Sequence, residues 1–173
     1  MTPTTTTTPS RRTRSRGAAA LAGMALAVGA PAATAGAHPG HGGERPLGAQ
    51  LAEVRAATAK YHDVDAAVAD GYKPSSPCVP NMGYHYQRGV AATADELDPA
   101  APEILVYAPR ENGSLKLVAV EYATWDASAS LFGRAFDAPH PHGGPPFHTL
   151  HAWVWQGNPA GVLSPLNPTV TCD

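Results

Sequence analysis

Residues 103–122 read EILVYAPRENGSLKLVAVEY. Two runs rich in β-branched and aromatic side chains, Glu103–Ala108 and Leu115–Tyr122, flank Asn112-Gly113. Asn-Gly between such runs is the strongest short-range hairpin signal, because both residues tolerate the positive φ that a tight primed turn demands. A two-residue turn sets Glu111 opposite Ser114 and therefore Ile104 opposite Glu121. One face of the hairpin then carries Ile104, Val106, Ala108, Leu115, Leu117, Ala119 and Glu121, and the other Glu103, Leu105, Tyr107, Val118 and Tyr122. A carboxylate among aliphatic side chains must reach water at a strand end, pair with a cation, bind a metal, or protonate. A one-residue slip would exchange the partners of Glu103 and Glu121.

A third β segment is FHTLHAWVWQG, residues 147–157. Strand alternation sends His148 to one face with Leu150, Ala152 and Val154, and His151 to the other with Phe147, Thr149, Trp153 and Trp155. The two imidazoles therefore cannot share one metal, and the HTLH spacing is not the helical pair of a metalloprotease. A short strand around Tyr84-His85-Tyr86 supplies another histidine flanked by aromatics. His85, Glu121 and His151, from three separated segments, form a candidate His–His–Glu set for Zn, Fe or Cu, with Glu103 as a spare base. The spacing of a cupin, with two histidines one residue apart followed closely by Glu, is absent. The same residues can equally be buried His–Glu pairs that only fix the fold. Tyr84, Tyr86, Tyr107, Tyr122, Trp153 and Trp155 are the candidate walls of an aromatic ligand cleft.

Upstream of the hairpin, Leu47, Leu51, Val54, Thr58, Tyr61, Val64 and Val68 recur at steps of three and four, an apolar helical stripe. Pro46 precedes it, Gly71 follows it and Pro74 forbids its continuation. The spacing predicts one helix over Leu47–Asp70, or two broken near His62-Asp63, with Glu53, Arg55, Lys60, Asp63 and Asp70 mostly solvated. Ala127–Phe136 reads as a short helical turn, and 158–173 as a proline-punctuated tail. The fold class is α+β: a helix or helix pair on a small, mostly antiparallel sheet or partly closed barrel, loop-rich, in one domain over residues 46–173.

The first 37 residues read differently. RRTRSR (11–16) is a cationic n-region, GAAALAGMALAVGA (17–30) an apolar stretch of about 14 residues, too short to span a bilayer, and PAATAGA (31–37) offers small-residue cleavage sites after Ala35 and Ala37. This is the pattern of a secretory signal peptide, exported by the general or, given Ser10-Arg11-Arg12, the twin-arginine route. Residues 38–45 follow as a flexible mature N-terminus. Cleavage after Ala37 would leave His38 first, a potential copper chelate. In an oxidising compartment the only cysteines, Cys78 and Cys172, are expected to pair, closing a loop of about 95 residues worth roughly 4–5 kcal/mol in the chain-entropy model.

Composition excludes other classes. The chain has a net charge of −2 with 15% charged residues and no basic stripe, so no nucleic-acid partner is expected. No segment beyond the leader suits a membrane, so a small molecule is the expected partner. There is no nucleophile elbow, no phosphate loop, and no partner to activate Ser128 or Ser130. His140 and His142 lie in a glycine- and proline-rich loop.

Taken together, MGYHYQ, PEILVYAP, VAVEYATW, LHAWVWQGNPAG and PLNPTVTC resemble a group of uncharacterised exported bacterial proteins, over about Leu51–Cys172. The positions that match include His85, Glu103, Glu121, His151, Trp153 and Cys172. The resemblance implies one exported domain in which these His and Glu positions form a site, and it carries no activity. His148 falls outside the pattern, which favours His151 as the functional imidazole.

Overall fold

The computed structural model of the chain describes residues 45–139 and 144–173. The proposed leader, His38, His140 and His142 lie outside them.

Helix α1 (Leu47–Thr58) starts at Pro46, runs into a 3₁₀ turn (Ala59–His62), and gives way to α2 (Val64–Ala69). The break falls at Asp63, whose side chain accepts from the Asp65 N–H and caps α2. Of the two helical expectations, the broken pair is the one that forms. Gly71, at φ +92°, ends it: its N–H reaches the Val68 carbonyl and the Tyr72 N–H reaches Ala67, a Schellman closure. The break also re-phases the stripe. Leu51, Val54, Thr58 and Tyr61 stay buried, but Ala67 faces the core and Val68 is exposed.

The strands are β1 (Lys73–Pro74), β2 (Tyr84–Gln87), β3 (Ile104–Pro109), β4 (Leu115–Thr124), β5 (Ser130–Leu131), β6 (Arg134–Ala135) and β7 (His148–Ala152). Five form an open antiparallel sheet in the order β1-β2-β3-β4-β7. The fold is α+β, and the sheet does not close into a barrel. β5 and β6 make a separate hairpin where a helical turn is expected; Phe132 and Gly133, both at positive φ, supply its two-residue primed turn.

The β3–β4 hairpin departs from its expected geometry twice. The Gly113 N–H bonds to the Arg110 carbonyl, Arg110 N–H bonds to Ser114, and Gly113 sits at φ +79°. The loop is thus three residues closed by a left-handed glycine, not two. Pro109 therefore faces Leu115, Ala108 faces Lys116 and Tyr107 faces Leu117. A bulge at Val118 then inserts one residue into β4, and from Val106–Ala119 onward the register returns, so Ile104 does face Glu121. The Val118 carbonyl, freed from the ladder, accepts the N–H groups of Trp155 and Gln156. Because the bulge flips the alternation, Leu115 and Leu117 join the helix face and Val118 the opposite one, the reverse of expectation.

The sheet has two unlike faces. Under the helices lie Leu105, Tyr107, Leu117, Val120, Tyr122 and Leu150, packed on Leu51, Val54 and Tyr61. The other face carries Val106, Ala108, Val118, Ala119 and Trp153 and is covered by Val170 of the C-terminal tail. Cys78 and Cys172 are bonded, with Cα atoms 5.8 Å apart. Cys78 belongs to the β1–β2 loop, so the bridge ties that loop to the tail. β7 ends at Ala152, earlier than its apolar run, because Trp153 N–H turns to the Val162 carbonyl.

Gly83 precedes β2 at φ +110°, and a Cβ there would lie 2.3 Å from the Tyr107 carbonyl oxygen. Gly48, in α1, has open space around its Cβ position. Gly83→Ala is expected to destabilise the protein by more than about 2 kcal/mol, and Gly48→Ala to stabilise it by about 0.5–1 kcal/mol. Urea denaturation of both variants measures the contrast.

Candidate metal centre

On the face away from the helices, Glu121 of β4 lies directly opposite His151 of β7. His85 of β2 pairs with Val106, one strand further away and one row along. Side chains from β2 and β4 lean toward each other over β3. The His85 Nε2 and Glu121 Oε2 atoms are 3.6 Å apart, as are His151 Nδ1 and Glu121 Oε1. One donor atom from each of the three residues lies within 4.8 Å of the others. Coordination bonds from His nitrogen or carboxylate oxygen run about 2.0–2.2 Å, so small rotamer changes bring this set around a single ion. His85, Glu121 and His151 can hold a metal ion.

Each imidazole is fixed differently. His85 Nδ1 lies 2.9 Å from the Ser76 hydroxyl, and the His85 carbonyl accepts the Ser75 N–H. With Nδ1 occupied by Ser76, Nε2 is the nitrogen turned to Glu121, the outer partner arrangement that orients a ligating imidazole. His151 is 1% exposed and stacks on Trp153 with the rings 11° from parallel. Neither of its nitrogens has a hydrogen-bond partner. A buried imidazole with both nitrogens idle is a costly arrangement that calls for an occupant.

Electrostatics separate the two readings of these residues. Burial lowers the pKa of His85, outweighing the nearby Glu121, and lowers that of His151 to about 4. Burial likewise raises the pKa of Glu121 above the ordinary carboxylate range, against the favourable influence of His85 and Thr149. Structural ion pairs would hold their histidines protonated and their carboxylate charged. Burial instead disfavours the charged form of all three groups, and it is the neutral form of an imidazole that a metal binds. The His–Glu contacts at 3.6 Å are also beyond direct hydrogen-bonding distance.

The three residues line a cavity of about 650 Å³. Its other walls include Pro77, Val79, Met82, Ile104, Phe147 and Pro165, with Ser75, Ser76, Gln87, Thr149 and Asp137 as polar groups. None of the aromatics expected to form a cleft lines it. Tyr107 and Tyr122 are fully buried under the helices, with hydroxyls donating to the Tyr61 and Pro99 carbonyls. Tyr84, Tyr86 and Trp155 pack against that same core, and Trp155 donates to Thr58 Oγ1. Only Trp153 is on the cavity side of the sheet, where it backs His151. Glu103 is not at the centre: it lines a separate depression with Arg88 and accepts the Ala123 N–H. His148 pairs with Thr124 at the far end of β7 and does not line the cavity.

Sequence reasoning missed Ser76 and Asp137. Ser76 sits in a proline-bounded loop and reaches His85 only through the β1–β2 pairing. Asp137 reaches the site through an isolated bridge to Thr149, which no periodicity announces.

No family model, curated protein or solved structure matches the chain. Among the described residues, no helix is long and apolar enough to cross a membrane.

A buried carboxylate whose folded pKa is raised binds its proton more tightly in the folded than in the unfolded chain, so it lowers stability as pH climbs above the unfolded value near ~4.3. Glu121→Gln is therefore expected to stabilise the metal-free protein at pH 7 by on the order of 1 kcal/mol, with the advantage vanishing near pH 4. Thermal or urea melts across pH test this; a structural ion pair predicts the opposite sign at neutral pH.

Proposed function

We propose that this is an exported metalloprotein in which His85, Glu121 and His151 hold one divalent transition-metal ion and present it to the cavity. The observation that carries this reading is His151: fully buried, with both nitrogens unpartnered, beside a buried carboxylate and a second oriented imidazole. Two histidines and one carboxylate leave coordination positions open, the pattern of catalytic rather than closed structural sites. Such an ion supplies a Lewis acid or a bound hydroxide at neutral pH. The cavity volume of about 650 Å³ falls within the range of small-molecule sites. The protein is accordingly a candidate for oxidative or hydrolytic chemistry on a small extracellular substrate.

The chain's own residues have assignable tasks. Ser76 orients the ring of His85 through Nδ1, Trp153 holds the plane of His151, and the apolar walls exclude water from the polar groups. Export is supported by the leader pattern of residues 1–37 and by the Cys78–Cys172 bridge, which an oxidising compartment maintains.

Protein purified from its native export route is expected to contain about one equivalent of Zn, Fe or Cu by elemental analysis, lost in His151→Ala and in Glu121→Gln. Ser76→Ala is expected to weaken metal affinity about 10–100-fold while leaving stoichiometry at saturation unchanged. A metal-free native protein that also fails to take up these ions in vitro would overturn the reading. Mass spectrometry of the mature N-terminus, expected to begin at Gly36 or His38, checks export and decides whether His38 is available to copper.

A further inference from the structure

Among the described residues, three buried side-chain polar atoms lack a partner: the two nitrogens of His151 and Oδ2 of Asp137. All three belong to residues lining the same cavity. Asp137 and Thr149 exchange backbone N–H···O bonds of 2.7 and 3.1 Å as an antiparallel bridge, so their side chains leave the same face. Thr149 is two residues before His151 on β7 and shares its face. Asp137 is therefore the diagonal neighbour of His151, and its charge acts on both His151 and Glu121. Its other oxygen, Oδ1, is occupied by Arg134 at 3.2 Å, a residue that does not line the cavity. A carboxylate thus stands beside the centre with one oxygen anchored and the other buried and unpartnered, so that a ligand hydroxyl reaches it when the Asp137 side chain turns toward the cavity.

The rest of the lining narrows the ligand. Among the described residues no Lys or Arg lines the cavity, and its body is built from Pro77, Val79, Met82, Pro146, Phe147 and Pro165. Among the described residues a phosphate or carboxylate entering here would find no Lys or Arg for its remaining oxygens, and would set a like charge against Asp137 with no hydrogen to offer it. A wholly apolar molecule would leave Oδ2 buried and unpaired. We infer that the cavity takes a neutral, largely apolar alcohol or phenol, its hydroxyl oxygen turned to the His85–Glu121–His151 centre and its hydroxyl proton donated to Asp137 Oδ2. The position of the oxygen rests on the proposed metal centre; the need for a donor and the rejection of anions rest on Asp137 and the lining.

Three probes of one shape separate these features: 4-tert-butylphenol, its methyl ether 4-tert-butylanisole, and 4-tert-butylbenzoate. Each is titrated into the Co²⁺-loaded protein, with the visible cobalt bands and calorimetry as readouts. The phenol is expected to bind at least about tenfold more tightly than either analogue and to shift the cobalt bands, because a site with a buried acceptor rejects a ligand that lacks the donor. Asp137→Ala is expected to lose that preference while its Co²⁺ spectrum and affinity stay within a few-fold of wild type. Equal binding of phenol and anisole, or benzoate binding as tightly as phenol, overturns the inference, and these rankings on the wild-type protein suffice if the variant fails to fold. Should the protein take up no Co²⁺, the metal reading fails on its own, and the calorimetric ranking of the three probes on the metal-free protein still decides the ligand class.

Discussion

The bulge at Val118 is the constraint on which the candidate centre depends. Upstream of it, Leu115 and Leu117 point under the helices; downstream, Val120 and Tyr122 do so. An uninterrupted β4 would keep the parity of Leu117 and carry Glu121 to the helix face, among Leu105, Tyr107 and Leu150. One inserted residue instead turns the carboxylate toward His85 and His151. The bulge is held from outside, because the carbonyl it releases is taken by Trp155 and Gln156 as the chain turns away after β7. The same turn that ends the third strand thus secures the kink that aims Glu121, and bulges at functional sites commonly re-aim a side chain in this way.

The two faces of the sheet handle polar groups in opposite ways. Under the helices the tyrosines are buried with their hydroxyls satisfied: Tyr72 donates to the Pro102 carbonyl, Tyr107 to Tyr61 and Tyr122 to Pro99. That face behaves as a finished core, and the pKa of each of these tyrosines is raised by burial, which keeps the phenol neutral. On the cavity face, idle polar atoms gather on His151 and Asp137. Buried polar groups without partners are rare because each costs desolvation energy with no return. Their confinement to one wall of one cavity is a pattern that core packing does not produce, and it is the pattern a ligand would complete.

Much of this was legible in the sequence, though not always for the right reason. The Asn112-Gly113 turn correctly announced a hairpin, yet the loop has three residues and not two, and the Val118 bulge offsets that difference three residues before Glu121, so Ile104 and Glu121 still meet. Two local departures cancel where it matters and show themselves only in the misplaced Leu115, Leu117 and Val118. Strand alternation placed His148 and His151 on opposite faces without choosing between them; it is the pairing of Glu121 with His151 that puts His151, and not His148, beside the carboxylate. The expected aromatic cleft does not line the cavity: Tyr84, Tyr107 and Tyr122 share the parity that faces the helices, and Trp155 lies past the end of β7. Glu103 precedes β3 on the parity opposite to Ile104, and so lies away from the centre. Ser76 and Asp137 were illegible because both act from irregular backbone, where no period reports direction.

The Cys78–Cys172 bridge bears directly on the geometry of the candidate centre. Cys78 follows Ser75, Ser76 and Pro77, the run that contacts both ends of His85. β1 is a two-residue edge strand and holds this loop weakly by itself. The bridge to Cys172 fastens it to the tail, where Asn81 N–H bonds to Val170 and Asn167 N–H bonds to Asn81. Val170 in turn packs on Val106, Val118 and Trp153, beneath the His151 ring. One covalent tether therefore steadies the partner of the first imidazole and the support of the second.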